Sequence, residues 1–181
     1  MKGGVLEAHC LVRNFGDITA VDGIDLEGSE GEVFGFLGPN GAGKSTAVRV
    51  FTTLLRPSSG IARVGGHDVV TEAGAVRRII GVALQDAAID PLMTANELVR
   101  LQAVLHAIPR AQARVRGGEL LARVGLSAAA DRRVSTYSGG MRRRLDLALS
   151  LIHEPSILFL DEPTTGSVSY THLTLPTNRE V

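Results

Sequence analysis

The chain has 181 residues, 44% of them hydrophobic, with 19 basic residues against 19 acidic ones and one cysteine, Cys10. That length fits one domain, and that hydrophobic share excludes wholesale disorder. Balanced charge argues against a nucleic-acid or membrane-surface binder, and a lone cysteine excludes an intrachain disulfide. No apolar signal region follows Met1-Lys2 and no run nears about 18 apolar residues, so a soluble intracellular domain is expected.

In chain order, residues 5–13 and 19–26 read as strands separated by the turn signal Phe15-Gly16-Asp17. Residues 32–37 (EVFGFL) form a short apolar strand that stops at a glycine-rich stretch. Residues 46–55 have helical spacing, and 61–64 and 79–84 read as strands. From 94 to 108 the pattern is amphipathic, with Leu98, Leu101, Leu105 and Ile108 on one face and a Thr94/Glu97 capping box at the start. Pro109 opens a second helix towards Val124, which Gly117-Gly118 weakens. Residues from about 86 to 136 thus form a helical insertion in an α/β layer. A further helix runs over 141–152, with Met141, Leu145, Ala148, Leu149 and Ile152 on one face. Residues 157–160 (ILFL) are apolar throughout, as in a strand buried on both faces of a parallel sheet.

Composition singles out the end of the chain. Alanine and glycine together supply 41 residues, none of them after Gly166. At the preceding density, about four would be expected among the last 15.

Three motifs carry chemistry. Gly38-Pro39-Asn40-Gly41-Ala42-Gly43-Lys44-Ser45-Thr46 fits the pattern G-x-x-x-x-G-K-[ST] between a strand and a helix. Glycines let backbone N–H groups approach phosphate oxygens, and the helix start adds partial positive charge. Lys44 supplies a full charge for the β- and γ-phosphates, and Ser45 can ligate Mg²⁺. The bland alternative is a glycine turn at a helix start. The second motif ends strand 157–160 with Asp161-Glu162, placed for a metal-binding carboxylate and for one that polarises a water. An acidic cap after a buried strand is its bland counterpart.

Tyr137-Ser138-Gly139-Gly140-Met141 is the third: a serine N-cap and two glycines leave a second bare helix start. Arg142, Arg143 and Arg144 follow, opposing the helix dipole. They are either a solvated face or phosphate contacts.

Together these motifs resemble the ATP-binding subunit of ABC transporters: Walker A at 38–46, the signature at 138–141 and Walker B at 157–162. Residues 54–69 and 137–151 resemble the daunorubicin-resistance type of multidrug exporter. The resemblance covers 5–166. It implies a P-loop NTPase of ABC type, with an N-terminal antiparallel β part and a helical insertion, incomplete at its C-terminus. Residues 1–166 would be a partial ATP-binding domain and 167–181 a tail foreign to the family.

Gln85 matches the family's Q-loop glutamine, and Phe15 falls where an aromatic stacks on adenine. Ser45, Gln85 and Asp161 would hold Mg²⁺, with Glu162, Lys44 and Gln85 as the catalytic set. The resemblance further implies a head-to-tail homodimer, each ATP lying between one chain's Walker motifs and the partner's Ser138, Gly139 and Gly140. A separate membrane-spanning permease would be pressed by the helical insertion on the cytoplasmic side of the membrane. The implied function is an ATP-hydrolysing motor for drug or lipid efflux. Alternatives are another cargo such as a polysaccharide or ion, a fragment that binds ATP without turnover, or a soluble non-transport ABC ATPase.

The pattern breaks after Gly166, where the family continues with Leu-Asp and this chain has Ser167-Val168. His172 is ten residues past Glu162, too near to be the family's switch histidine. Residues 168–173 (VSYTHL) equal one frame of a common sequencing-library transposon end, so 167–181 are expected to be adapter read-through on a truncated gene. The other reading is a divergent native tail with Leu173-Thr174-Leu175 as an edge strand.

Overall fold

A computed structural model describes residues 4–35, 41–83 and 89–160. The Gly16-Asp17 turn folds β1 (Leu6–Phe15) back on β2 (Ile18–Gly28), with Phe15 opposite Ile18. Inward positions alternate at Leu6 and Ala8, then resume at Leu11, because a register shift between Ala8 and Leu11 inserts an extra residue. Cys10 takes the strain there, at φ 46, and its N–H donates to Asp25 Oδ1 at 2.8 Å.

β3 (Ser59–Val64) pairs with the other edge of β1, and the two-residue β4 (His67–Asp68) pairs with β3, giving the antiparallel order β2-β1-β3-β4. Its apolar face closes on α1 (Lys44–Phe51), which buries Ala47, Val48, Val50 and Phe51. α1 stops short of the expected residue 55. Thr52 turns its hydroxyl back to the Val48 carbonyl at 2.8 Å, and Thr53 enters the left-handed region at φ 64. The Leu54 and Leu55 N–H groups then both donate to the Arg49 carbonyl, at 2.9 and 3.0 Å.

α2 (Ala73–Ile79) leads into β5 (Ile80–Ala83), which pairs in parallel with β6 (Ile157–Leu160). The Phe159 ring stacks against Phe51 with centroids 6.4 Å apart, joining this pair to α1. Two strand expectations need correction. β6 is not buried on both faces, since Phe159 is buried but Leu160 is 42% exposed. Residues 32–35 form no strand, and Val33 is fully exposed. An apolar run becomes a strand only where a neighbour supplies a ladder, and no described strand pairs with this one.

The second part is helical: α3 (Ala95–Leu105), α4 (Arg110–Arg123) and α5 (Gly139–Ser150), around a core of their own. The Thr94/Glu97 capping box is present. The buried face of α3 differs from the expected one: Ala95, Leu98, Val99 and Ala103 point inward, whereas Leu101 and Leu105 are exposed. Small residues bring the backbones together. Gly117 on α4 lies against Val99, and an added Cβ would collide with the valine Cγ1. Close contact with α3 thus explains a glycine that by helix propensity alone weakens α4.

α5 starts at Gly139, two residues before the expected Met141. Tyr137 just before it is buried, and its hydroxyl donates to the Ala129 carbonyl at 2.7 Å. Burial pushes that phenol above its ordinary range. No helix among the described residues is long and apolar enough to cross a membrane.

Candidate functional site

The phosphate-loop motif enters α1 through left-handed backbone. Gly41 has φ 86 and Gly43 φ 78, a region that L side chains rarely adopt. An added Cβ at Gly43 would also strike the Ala20 carbonyl oxygen of β2 and meet Val21 Cγ2 at 3.4 Å, whereas the same atom at Gly41 meets nothing within 4 Å. One glycine is therefore demanded by packing, and at the other a Cβ would meet none of the described residues.

Gly43 is the N-cap of α1. No side chain among the described residues caps the helix, and its first turn holds no acidic residue. Lys44, Ser45 and Thr46 form that turn and are half-buried. A helix start so built, with a lysine and a hydroxyl in its first turn, suits an anion. Gly38, Pro39 and Asn40 lie outside the described residues.

Phe15 ends β1 and is 44% exposed. It stands opposite Ile18, two residues up β2 from the Ala20 carbonyl that touches Gly43, or about 7 Å along the strand. The Arg13 guanidinium lies over the Phe15 ring, 4.5 Å from its centroid.

At α5, Ser138 Oγ accepts the Met141 N–H at 3.2 Å, as its N-cap position predicts. Ser138, Gly139 and Gly140 are exposed, and a Cβ on either glycine would meet no described residue within 4 Å. Packing among the described residues therefore does not require glycine at those two positions. Among the described residues, the contacts of Arg142 and Arg144 are with the chain's own carbonyls. Arg142 Nε donates to the Tyr137 carbonyl at 3.2 Å, and Arg144 donates to the Val124 carbonyl at 2.8 Å.

β5 and β6 end level, with Ala83 paired to Leu160. Gln85, Asp161 and Glu162 lie outside the described residues, as does the tail 167–181.

Between β5 and the helical part is a cavity of about 440 Å³, lined in part by Arg77, Leu98, His106, Asp146 and His153. Burial pushes the Asp146 carboxyl up to about 6, against the opposing pull of Arg143. Its Oδ2 is buried with no hydrogen-bond partner. The His106 and His153 rings stack with centroids 3.8 Å apart. Burial holds both below the ordinary histidine range, His153 while its Nε2 lies 2.8 Å from the Ile80 carbonyl.

Sequence reasoning missed Arg13, Ala20 and Asp146. Only Arg13 left a signal, since i and i+2 of a strand share a face with Phe15.

Residues 21–165 match the family model described as ABC transporter. The chain is 51% identical over 161 residues to the daunorubicin/doxorubicin resistance ATP-binding protein DrrA of Streptomyces peucetius, covering 89% of this chain and 49% of that protein. It is 37% identical over 162 residues to the linearmycin resistance ATP-binding protein LnrL of Bacillus subtilis, covering 90% of this chain and 52% of that protein. The chain thus spans about half the length of the curated relatives it matches.

Among solved structures, an ATP-binding subunit of an ABC transporter superposes with a TM-score of 0.82 at 23% identity, covering 90% of this chain and 68% of that one. That likeness concerns the fold alone. CbiO1 of Clostridium perfringens, described as part of the ABC transporter complex cbiONQ, superposes with a TM-score of 0.77 at 31% identity, covering 92% of this chain and 68% of that one. A phosphate-loop helix start, a serine-capped glycine pair and a family match over most of the chain agree: the chain belongs to the ABC transporter family, among its ATP-binding domains.

Proposed function

We propose that the chain is the nucleotide-binding part of an ATP-hydrolysing motor subunit for a drug or lipid exporter. The observation that carries this reading is the junction at Gly43, where a left-handed loop opens a helix that no described side chain caps, with Lys44 and Ser45 in its first turn. The names of the curated relatives, which are drug-resistance ATP-binding proteins, support export as the process served.

In this reading the loop 38–46 holds the triphosphate of ATP, and Lys44 neutralises its outer phosphates. Phe15 stacks on the adenine through its exposed face. Ser45, Gln85 and Asp161 are all oxygen donors, which suits a hard cation such as Mg²⁺. When bound there, that ion neutralises charge on the β- and γ-phosphates. Glu162 accepts a proton from the attacking water or orients it.

The space that the described residues leave in front of Gly139 and Gly140 supports a second role. Ser138 and those glycines face the nucleotide held by another copy, in a head-to-tail homodimer. The helical part 86–136 contacts a separate membrane-spanning permease, which puts the subunit on the cytoplasmic side of the membrane.

Titration of the chain with a fluorescent ATP analogue tests the core of the proposal. Lys44→Ala should weaken binding by at least about tenfold, the loss of one charge-assisted contact of about 1.5–3 kcal/mol. Unchanged affinity would overturn the nucleotide assignment.

A further inference from the structure

We infer that Arg13 is a positioning residue for nucleotide binding: it backs the Phe15 ring and sets the face that Phe15 offers to the base. The inference rests on the reading of Phe15 as the adenine-stacking residue and adds a second layer behind it.

An exposed phenylalanine at the end of a hairpin has a broad choice of ring orientations. Here the choice is restricted. Arg13 and Phe15 are two residues apart on β1, so their side chains leave the same face of the strand. The Arg13 guanidinium carbon sits 4.5 Å from the Phe15 ring centroid. Arg13 cannot swing away freely, because its Nη1 donates to the Arg56 carbonyl at 3.0 Å. That carbonyl belongs to a tethered segment: Ser58 N–H donates to the Val12 carbonyl at 2.8 Å, and Ser58 Oγ accepts the Asn14 N–H at 3.0 Å.

The arginine does not hold this place for the sake of all its hydrogen bonds. Its Nε is buried with no partner. A buried donor left unpaired is a cost, so another contact must offset it. Beside the Nη1 bond to Arg56, the ring contact supplies it: a planar guanidinium stacks on an aromatic face in a way that lysine does not. With one face of Phe15 occupied, the base stacks on the other, and part of the ordering cost of binding is met before ATP arrives.

The test compares ATP with inorganic tripolyphosphate, which has the phosphates but no base, by competition against a fluorescent ATP analogue. Arg13→Met should weaken ATP about two- to fivefold and leave tripolyphosphate unchanged, as expected for an exposed cation–π contact. In a Phe15→Leu background the same substitution should have no further effect on ATP. Equal weakening of ATP and tripolyphosphate would overturn the inference, because Arg13 would then act by its charge or by holding the fold. So would an Arg13→Met effect that persists without the Phe15 ring.

If Phe15→Leu alone leaves ATP affinity unchanged, the adenine-stacking reading falls. If Phe15→Leu weakens ATP and Arg13→Met does not, only the role of Arg13 falls. Arg13→Lys keeps the charge and loses the planar face, so it decides the same question should Arg13→Met fail to fold: full ATP affinity in Arg13→Lys contradicts the inference.

Discussion

The two parts of the molecule begin their helices in opposite ways. In the helical part, α3 is closed by its own residues: Thr94 Oγ1 accepts the Glu97 N–H at 3.2 Å, and Glu97 Oε2 accepts the Thr94 N–H at 2.7 Å. Those bonds hold the Glu97 carboxyl below its ordinary range. In the sheet part, α1 begins on a glycine, with no side-chain cap and no acid. Its first turn instead carries a lysine, which the helix dipole disfavours. One terminus is used for stability; in the function proposed above, the other is kept for an anion. α5 lies between them: Ser138 caps it, but N3 is Met141, so no carboxylate completes a box. A helix start that gives up local stability in this way is a candidate ligand site.

Substitutions can break that comparison on either side. The largest effect is expected at Gly43. Valine there must take a left-handed backbone and push against the Ala20 carbonyl, costing more than about 3 kcal/mol and abolishing ATP binding, as chemical denaturation and nucleotide titration would show. A stable, ATP-binding Gly43→Val chain would mean that the loop is not built as described.

Gly117→Leu is the counterpart in the helical part. Overpacking against Val99 should cost about 1–3 kcal/mol, read from denaturation, while ATP affinity of the folded fraction stays as in the parent chain. Loss of nucleotide affinity in folded protein would show that the two parts are not separable in this sense.

The smallest effect is expected at Asp146, in the cavity between the parts. Its native carboxyl titrates at about 6, above the ordinary value of 3.8, so the native chain holds that proton more tightly than the unfolded one. The resulting stability is fully present below the unfolded-state range and is lost as pH rises through about 6. His106 and His153, depressed by burial, act in the other direction and lose stability as pH falls. Asp146→Asn isolates the carboxyl. Thermal melts should show a gain over the parent of about 1–2 kcal/mol at pH 8 and almost none at pH 4. A gain independent of pH would contradict the burial of an unpaired charge.

Legibility in the sequence followed locality. The β1–β2 hairpin was readable because its turn residues and flanking strands are adjacent. The α3 cap and the Ser138 cap were readable because both sit within four residues. The phosphate-loop motif states its own backbone requirement, and Gly41 and Gly43 meet it. β4 and α2 escaped notice, the first having two residues and the second seven, too few for periodicity to register. The α3 face was misjudged because apolar size was weighed instead of closeness. Ala95 and Ala103 are inside because Gly117 lets α4 approach, and Leu101 and Leu105 are left out. Residues 32–35 have a strand's composition, yet strand formation depends on a neighbour that composition does not name. The orphaned Asp146 oxygen arises only in the fold, where α2, β5, α3 and α5 line one cavity.

Amide hydrogen exchange with and without Mg-ATP tests most directly the contrast between a helix start kept for an anion and one closed on itself. ATP at a concentration that leaves the chain monomeric should slow exchange at residues 43–46 and leave residues 94–98 and 138–142 unchanged. Protection at 94–98 or 138–142, with none at 43–46, would contradict it.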